Sequence, residues 1–375
     1  MSETVAEPKL VAAPVVIPPH PDVTRVLGNI YISGIQPIVD HAPLKAQHNI
    51  THILSVMKFN VIPEYLIRKG YTLKNIPIDD LETEDILKYL NETNKYIDQC
   101  LFPNEPEYSP DKVDFKKKKQ GDAVLIHCQA GSSRSVAFAV AYLMYRYKLP
   151  LKVALHAVKR KRSLAEPNPG FLTQLQLFEE KIGSSDLDIV SNKFYKQWAL
   201  ENSLHSDPTG ANILSNDKTF RETKSEDGDL DKLDADELYS VTAIRCKKCR
   251  YRLALSTSFI DHEPPSKESS EGHFIRRAAN SHRIIDIQES QSICSHFFVE
   301  PLDWMKKELQ GKQELEGKFS CPGCETKVGG YNWKGSRCSC GKWVIPAIHL
   351  QSNKVDQFPL SKQVLPNMVN FKSTK

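Results

Sequence analysis

The chain has 375 residues, too many for one ordinary core and enough for about two folded units with linker. Apolar residues make up 40% and charged residues 26%, which excludes gross disorder. The formal charge of +4, from 50 basic and 46 acidic side chains, gives a whole-molecule field too weak to argue for nucleic acid, although a local basic patch stays open.

The first residues are rich in Ala, Val and Pro with no helical or strand period, so residues 1–22 are expected to form a flexible arm. Glu3 and Glu7, with no basic opening, do not resemble a signal peptide. No apolar run reaches the roughly 18 residues a membrane span needs, so no membrane partner is expected and the location expected is cytoplasm and nucleus. From 23 to 183 short apolar strands (NIYISG, HILSVM, LKNIPI) alternate with amphipathic helices such as EDILKYLNETNKYIDQCL, which predicts an α/β domain. Residues 102–120, with several prolines and the run Lys116 to Lys119, read as an inserted surface loop. Residues 184–240 shift to Asp, Ser, Asn and Lys and are expected to be a largely disordered linker, with one helix at FYKQWALENSL. The remainder, 241–375, has short strands, glycines and paired cysteines but too few aliphatic residues to hold a fold by burial alone.

The apolar run Ala123 to Ile126 ends at His127-Cys128, and a long helix is expected from about Ser135 to Arg146. Strand, tight loop and helix form a layout suited to an anion. The backbone N–H groups of Gln129, Ala130, Gly131, Ser132, Ser133 and Arg134 can point inward around a phosphoryl group, and the helix N-terminus adds positive potential there. The same field favours the Cys128 thiolate, a nucleophile, while Arg134 offers a planar fork for two phosphoryl oxygens.

The segment HCQAGSSRS resembles the signature of the dual-specificity branch of the protein tyrosine phosphatases, and GNIYISG, THILSV and EPNPGFLTQLQLFE extend the likeness over about 160 residues. The resemblance implies a central mixed sheet flanked by helices. It also implies a metal-free reaction through a cysteinyl-phosphate, acting on phosphotyrosine and phosphoserine or phosphothreonine of a protein substrate. It points to Asp80 in the loop IPIDDL as the general acid, with Asp79 in reserve, and to Ser135 as the hydrogen-bond partner of the departing thiolate. His127 is expected behind the loop rather than as a base, and Asn168 as a turn-maker packed against the loop.

Seven of the nine cysteines follow residue 240: Cys246 and Cys249, Cys294, Cys321 and Cys324, Cys338 and Cys340. Without a secretory signal, such spacing favours metal over disulfides, and thiolate-rich tetrahedral sites favour zinc. Thioredoxin-like redox chemistry would need a βαβ context that the sequence does not offer. Two tetrahedral ions need about eight ligands, so one histidine is wanted from His262, His273, His282, His296 and His349, and spacing does not choose. His296 is expected on the opposite strand face and His349 beyond the last strand, both unligated.

This stretch, with CSHFFVEPLDWM, CPGC and GGYNWKGSRCSCGKWVIPA, resembles the small β-rich zinc domain of one subgroup of these phosphatases, whose members are associated with assembly of the large ribosomal subunit. That resemblance implies two structural zinc ions and His262 as eighth ligand. It groups Cys246, Cys249, His262 and Cys294 as one site and Cys321, Cys324, Cys338 and Cys340 as the other. Two functions follow as expectations: a protein phosphatase delivered or regulated by its zinc domain, or a docking factor for ribosome precursors whose phosphatase activity is dispensable.

Overall fold

A computed structural model of the chain describes residues 18–59, 63–103, 122–182, 188–222, 241–266, 276–277, 284–285 and 294–359. Most of the expected arm and inserted loop, and the C-terminal tail from 360, lie outside the described residues. The chain divides into two units, Met1–Ser185 and Asp186–Lys375.

In the first unit the strands are β1 (Thr24–Leu27), β2 (Ile30–Ser33), β3 (Ile50–Val56), β4 (Thr72–Ile76) and β5 (Ala123–His127). They form one sheet in the order β1-β2-β5-β3-β4, with β1 antiparallel to β2 and the other pairs parallel. A parallel strand between two parallel neighbours is covered on both faces, which is why the AVLIH run of β5 has no polar alternation and is buried at every position. Along the chain after β2 come α1 (Gln36–Val39), α2 (Leu44–His48), α3 (Glu64–Arg68), α4 (Leu87–Leu101), α5 (Arg134–Tyr147), α6 (Leu151–Lys159) and α7 (Pro169–Leu177). α5 packs on β5 and is surrounded by α4, α6 and α7, so it is buried on all sides and carries Ala, Val, Phe and Leu around its whole girth. The mixed α/β architecture is therefore as the alternation predicts.

The last residues of the expected arm belong to this fold. Asp22 accepts a hydrogen bond from Gly34 N at 2.7 Å, and His20 Nε2 lies 3.1 Å from Asp40.

The second unit starts earlier than the sequence suggests. Helices α8 (Lys193–Ser203) and α9 (Ala211–Leu214) lie within the expected linker, and Leu200, Leu214 and Phe220 are buried in one core with Ile244, Leu253, Val299, Phe319 and Leu350. α8 matches the one helix expected there, but the polar composition of 184–240 hid the few buried residues, Leu200, Leu214 and Phe220, that join it to the core that follows. Charge reinforces the join. Glu300 is 1% exposed, and its carboxylate accepts from Lys196 Nζ at 3.1 Å and Arg221 at 2.8 Å. Such a carboxylate left unpaired would cost several kcal/mol, so these two cations tie 193–222 to the rest of the unit.

Its strands are β6 (Thr242–Cys246), β7 (Arg252–Leu255), β8 (Arg276–Arg277), β9 (Ile284–Ile285), β10 (His296–Phe298), β11 (Glu316–Ser320), β12 (Lys327–Asn332), β13 (Ser336–Arg337), β14 (Trp343–Val344), β15 (Ala347–Gln351) and β16 (Val355–Pro359). They make a four-stranded sheet β10-β15-β12-β11, a three-stranded sheet β16-β6-β7, and the pairs β13-β14 and β8-β9. His349 is not beyond the last strand. It sits within β15, with its ring 4.3 Å from that of His296 on the neighbouring strand β10. Among the described residues no helix is long and apolar enough to cross a membrane.

Candidate functional site

The loop from Cys128 to Ser133 joins β5 to α5, as a buried parallel strand must hand over to its crossover helix at its carboxyl end. Cys128 is 1% exposed, and its Sγ accepts from Gly131 N at 3.2 Å and lies 3.3 Å from Ser135 Oγ. Gly131 has φ +71°, and a Cβ there would stand 2.4 Å from an Arg162 nitrogen and 2.5 Å from Ser33 backbone, so only glycine fits this turn. Arg134 is the first residue of α5. It donates to Ile78 O at 3.2 Å, while its buried Nε has no hydrogen-bond partner among the described residues.

The structure brings Asp80, and not Asp79, to this loop. Asp80 Oδ1 accepts from Ser133 Oγ at 2.5 Å and from Asn168 Nδ2 at 2.7 Å, and Oδ2 is 3.9 Å from Arg134 Nε. Asp79 is instead paired with Lys58 at 2.6 Å. Asn168 caps α7 by accepting at Oδ1 from Phe171 N, its side-chain amide donates to Asp80, and its backbone N–H donates to Ser133 Oγ at 3.0 Å, so one residue links α7, the loop and Asp80.

Sequence reasoning missed Arg162 and Asp22. Arg162, 3% exposed, donates to Gly131 O at 2.7 Å and to Asp22 Oδ1 at 2.7 Å. It stands among other basic residues in KRKRS, and nothing local marks it as the buried one.

His127 lies behind the loop, 5% exposed, and burial pulls its imidazole down from 6.5 to about 4, against a hydrogen bond at the Cys128 backbone and with help from the Arg134 charge. Held down in this way and placed behind the loop, it is a weak proton acceptor. Below 6.5 the unfolded chain takes a proton that the folded chain refuses until about 4, so stability held at neutral pH is lost as pH falls through that window. The loss expected is about 3 kcal/mol, from roughly 1.4 kcal/mol per pKa unit. Denaturant titrations of wild type and His127→Gln at neutral pH and at about pH 4.5 test this. The variant should flatten the pH dependence, and an equal slope in both proteins rules His127 out as its source.

In the second unit two clusters of ligand atoms assemble, each with its atoms within 4.8 Å of one another: Cys246, Cys249, Cys321 and Cys324 in one, His262, Cys294, Cys338 and Cys340 in the other. The eight residues are those expected, but the grouping differs. The turn after β6 and the turn after β11 face each other, so the two C-x-x-C pairs share one cluster. His262 and Cys294 meet the turn between β13 and β14 that carries Cys338 and Cys340. Sγ of Cys246 and Cys324 are 3.7 Å apart, and Sγ of Cys249 and Cys321 are 3.5 Å apart. These separations fit the edge of about 3.8 Å that a tetrahedron with 2.3 Å metal–sulfur bonds would have. In the second cluster His262 Nε2 is buried with no hydrogen-bond partner among the described residues, and the ring is held edge-on to Phe298 at 5.0 Å, so in the Nδ1–H tautomer its lone pair is available to a metal. Both donor sets could hold an ion.

A sequence profile described as the dual specificity phosphatase catalytic domain matches residues 30–181, the span that contains the whole loop, Asp80 and Asn168. The chain belongs to the dual-specificity phosphatases. Tyrosine-protein phosphatase YVH1 of Saccharomyces cerevisiae is 70% identical to it over 354 residues, covering 94% of this chain and 96% of that protein. The yvh1 tyrosine-protein phosphatase of Schizosaccharomyces pombe is 30% identical over 89% of this chain and 84% of its own. Human dual specificity protein phosphatase 12 is 30% identical over 285 residues, 76% of this chain and 74% of that one. These alignments are longer than the catalytic domain, so this dual-specificity phosphatase shares with its relatives sequence from the cysteine-rich unit as well.

Proposed function

We propose that this phosphatase hydrolyses phosphotyrosine and phosphoserine or phosphothreonine in proteins in two steps, with Cys128, Arg134, Asp80 and Ser135 as its working groups. The observation that carries the reading is the convergence of Cys128 Sγ, the head of α5 with Arg134, and Asp80 on one loop. The N–H groups of residues 129–134 and the Arg134 fork hold three phosphoryl oxygens. The Cys128 thiolate bonds to phosphorus as the ester P–O bond breaks, and Asp80 gives its proton to the leaving oxygen. Water then attacks phosphorus, Asp80 takes its proton back, and the P–S bond breaks with Ser135 Oγ donating to the departing thiolate at 3.3 Å. The products are the free hydroxyl and inorganic phosphate.

Asp80→Asn tests the assignment, because an amide cannot pass the proton. It is expected to lower kcat on an aryl phosphate by about 10²- to 10⁴-fold, with Asp79→Asn within about threefold of wild type. The reverse ranking in steady-state kinetics would move the acid to Asp79.

Zinc is the ion best suited to the two clusters, where it would contribute folding energy and take no part in the phosphatase chemistry. The sequence likeness described above supports a partner for the second unit: precursors of the large ribosomal subunit, met in nucleus and cytoplasm. In that role the zinc-bearing unit docks and the phosphatase is secondary. Normal ribosome production in cells carrying only the Cys128→Ser chain favours the docking role; its failure ties the biology to hydrolysis.

A further inference from the structure

A loop can cradle an anion only if its peptide planes are turned with N–H inward, and in a trans peptide the carbonyl then points outward. Each outward carbonyl between Cys128 and Arg134 has its own donor. Gln129 O accepts from Ile35 N at 3.1 Å and Ser132 O from Glu166 N at 2.7 Å. The two in the middle are held by one side chain: Ala130 O accepts from Arg162 at 3.3 Å and Gly131 O accepts from Arg162 Nε at 2.7 Å. The peptide whose carbonyl is Ala130's carries the Gly131 N–H, which donates to Cys128 Sγ at 3.2 Å. The peptide whose carbonyl is Gly131's carries the Ser132 N–H.

Arg162 is itself fixed. Its Nη1 donates to Asp22 O at 2.8 Å and Thr24 Oγ1 at 3.0 Å, and Nη2, which also holds Ala130 O, donates to Asp22 Oδ1 at 2.7 Å, while Asp22 Oδ2 accepts from Gly34 N at 2.7 Å. A guanidinium that is 3% exposed needs a counter-ion, and Asp22, from the chain segment before β1, supplies it.

We propose that Arg162, charge-balanced by Asp22, is a positioning residue that sets the orientation of the 130–131 and 131–132 peptides and so the oxyanion affinity of the loop. It touches neither phosphate nor leaving group. The segment entering β1 thereby becomes part of the catalytic apparatus. The inference rests on the reading of 128–134 as the phosphate site.

The test is steady-state hydrolysis of an aryl phosphate by the full chain, with inorganic tungstate as competitive inhibitor, for wild type, Arg162→Gln, Arg162→Lys and Asp22→Asn. Arg162→Gln is expected to raise KM and the tungstate Ki together by about tenfold and to lower kcat/KM by about a hundredfold, since misplaced groups cost on that scale. Asp22→Asn should shift all three in the same direction by about tenfold or less, and Arg162→Lys, which keeps the charge but loses the fork, should recover part of the loss. A role in stability alone reduces the active fraction, which lowers kcat and leaves KM and Ki unchanged, and that result overturns the proposal. Should Arg162→Gln not fold, as judged by near-ultraviolet dichroism, Asp22→Asn decides: unchanged KM and Ki in that folded variant overturns it equally. A wild-type chain that neither hydrolyses the ester nor is inhibited by tungstate overturns the phosphate-site reading itself, and the brace with it.

Discussion

Replacing Cys128 by serine is expected to lower kcat for an aryl phosphate by about 10⁴-fold or more while leaving the fold in place. The serine hydroxyl stands where the sulfur stood but does not ionise near neutral pH, so the nucleophile is removed rather than weakened, and loss of a nucleophile falls at the high end of catalytic effects. The fold should tolerate it. The side chain is buried, with Gly131 N at 3.2 Å and Ser135 Oγ at 3.3 Å, and a smaller oxygen can still accept from the first and exchange a hydrogen bond with the second. Stability should change by about 1 kcal/mol, within the ordinary range for point substitutions. The substituted chain should also bind tungstate, because the N–H groups and Arg134 remain. Retained hydrolysis in Cys128→Ser, with metal content unchanged, would place the chemistry elsewhere and end the cysteinyl-phosphate mechanism for this chain.

The second large effect is expected from the two candidate metal clusters. Treating the full chain with a metal chelator, or changing Cys321 to serine, should unfold much of the second unit and leave hydrolysis within about twofold. Cys246, Cys321, Cys338 and Cys340 are all 1% exposed or less, so without an ion each cluster keeps two buried thiols crowded against its other ligand groups. A structural zinc supplies on the order of 10 kcal/mol of apparent folding energy, comparable with the whole stability of an ordinary domain. The first cluster also joins two hairpin turns that no common strand pairing connects, β6–β7 and β11–β12. Hydrogen exchange with and without chelator measures this directly. Amides of β6, β7, β11 and β12 should lose protection while those of β5 and α5 keep it. Full protection of the second unit in metal-free protein would show that its hydrophobic core suffices.

The catalytic loop was legible in the sequence because its chemistry is local. Cysteine, glycine and arginine follow one another between an apolar strand and an apolar helix, and chain connectivity alone brings them around one point. Asp80 was legible through resemblance, and the structure adds the reason it outranks its neighbour: successive residues point in different directions, and Lys58 takes Asp79. The seven cysteines among the candidate metal ligands could be picked by residue type, since thiols in a chain with so few cysteines elsewhere have little other use, whereas His262 came from the resemblance alone.

Partners that meet across long stretches of chain were not legible. The grouping of the ligands depends on which hairpin turns face each other, and the C-x-x-C pairs of one cluster are separated by 72 to 78 residues. Helix α8 falls where the sequence expects one helix, but its place in the core of the second unit was not legible: only the packing of Leu200 and the Lys196–Glu300 pair reveals it. His349 and Arg162 share this history, each an unremarkable polar residue until neighbouring elements bury it. Sequence by itself determined the order of strands and helices, the candidate nucleophile and its loop, and the candidate ligand types, because these follow from backbone periodicity and adjacent chemistry. Tertiary structure alone decided the ligand partition, the start of the second unit and the Asp22–Arg162 brace, because burial and pairing at a distance depend on which faces the folded chain brings together.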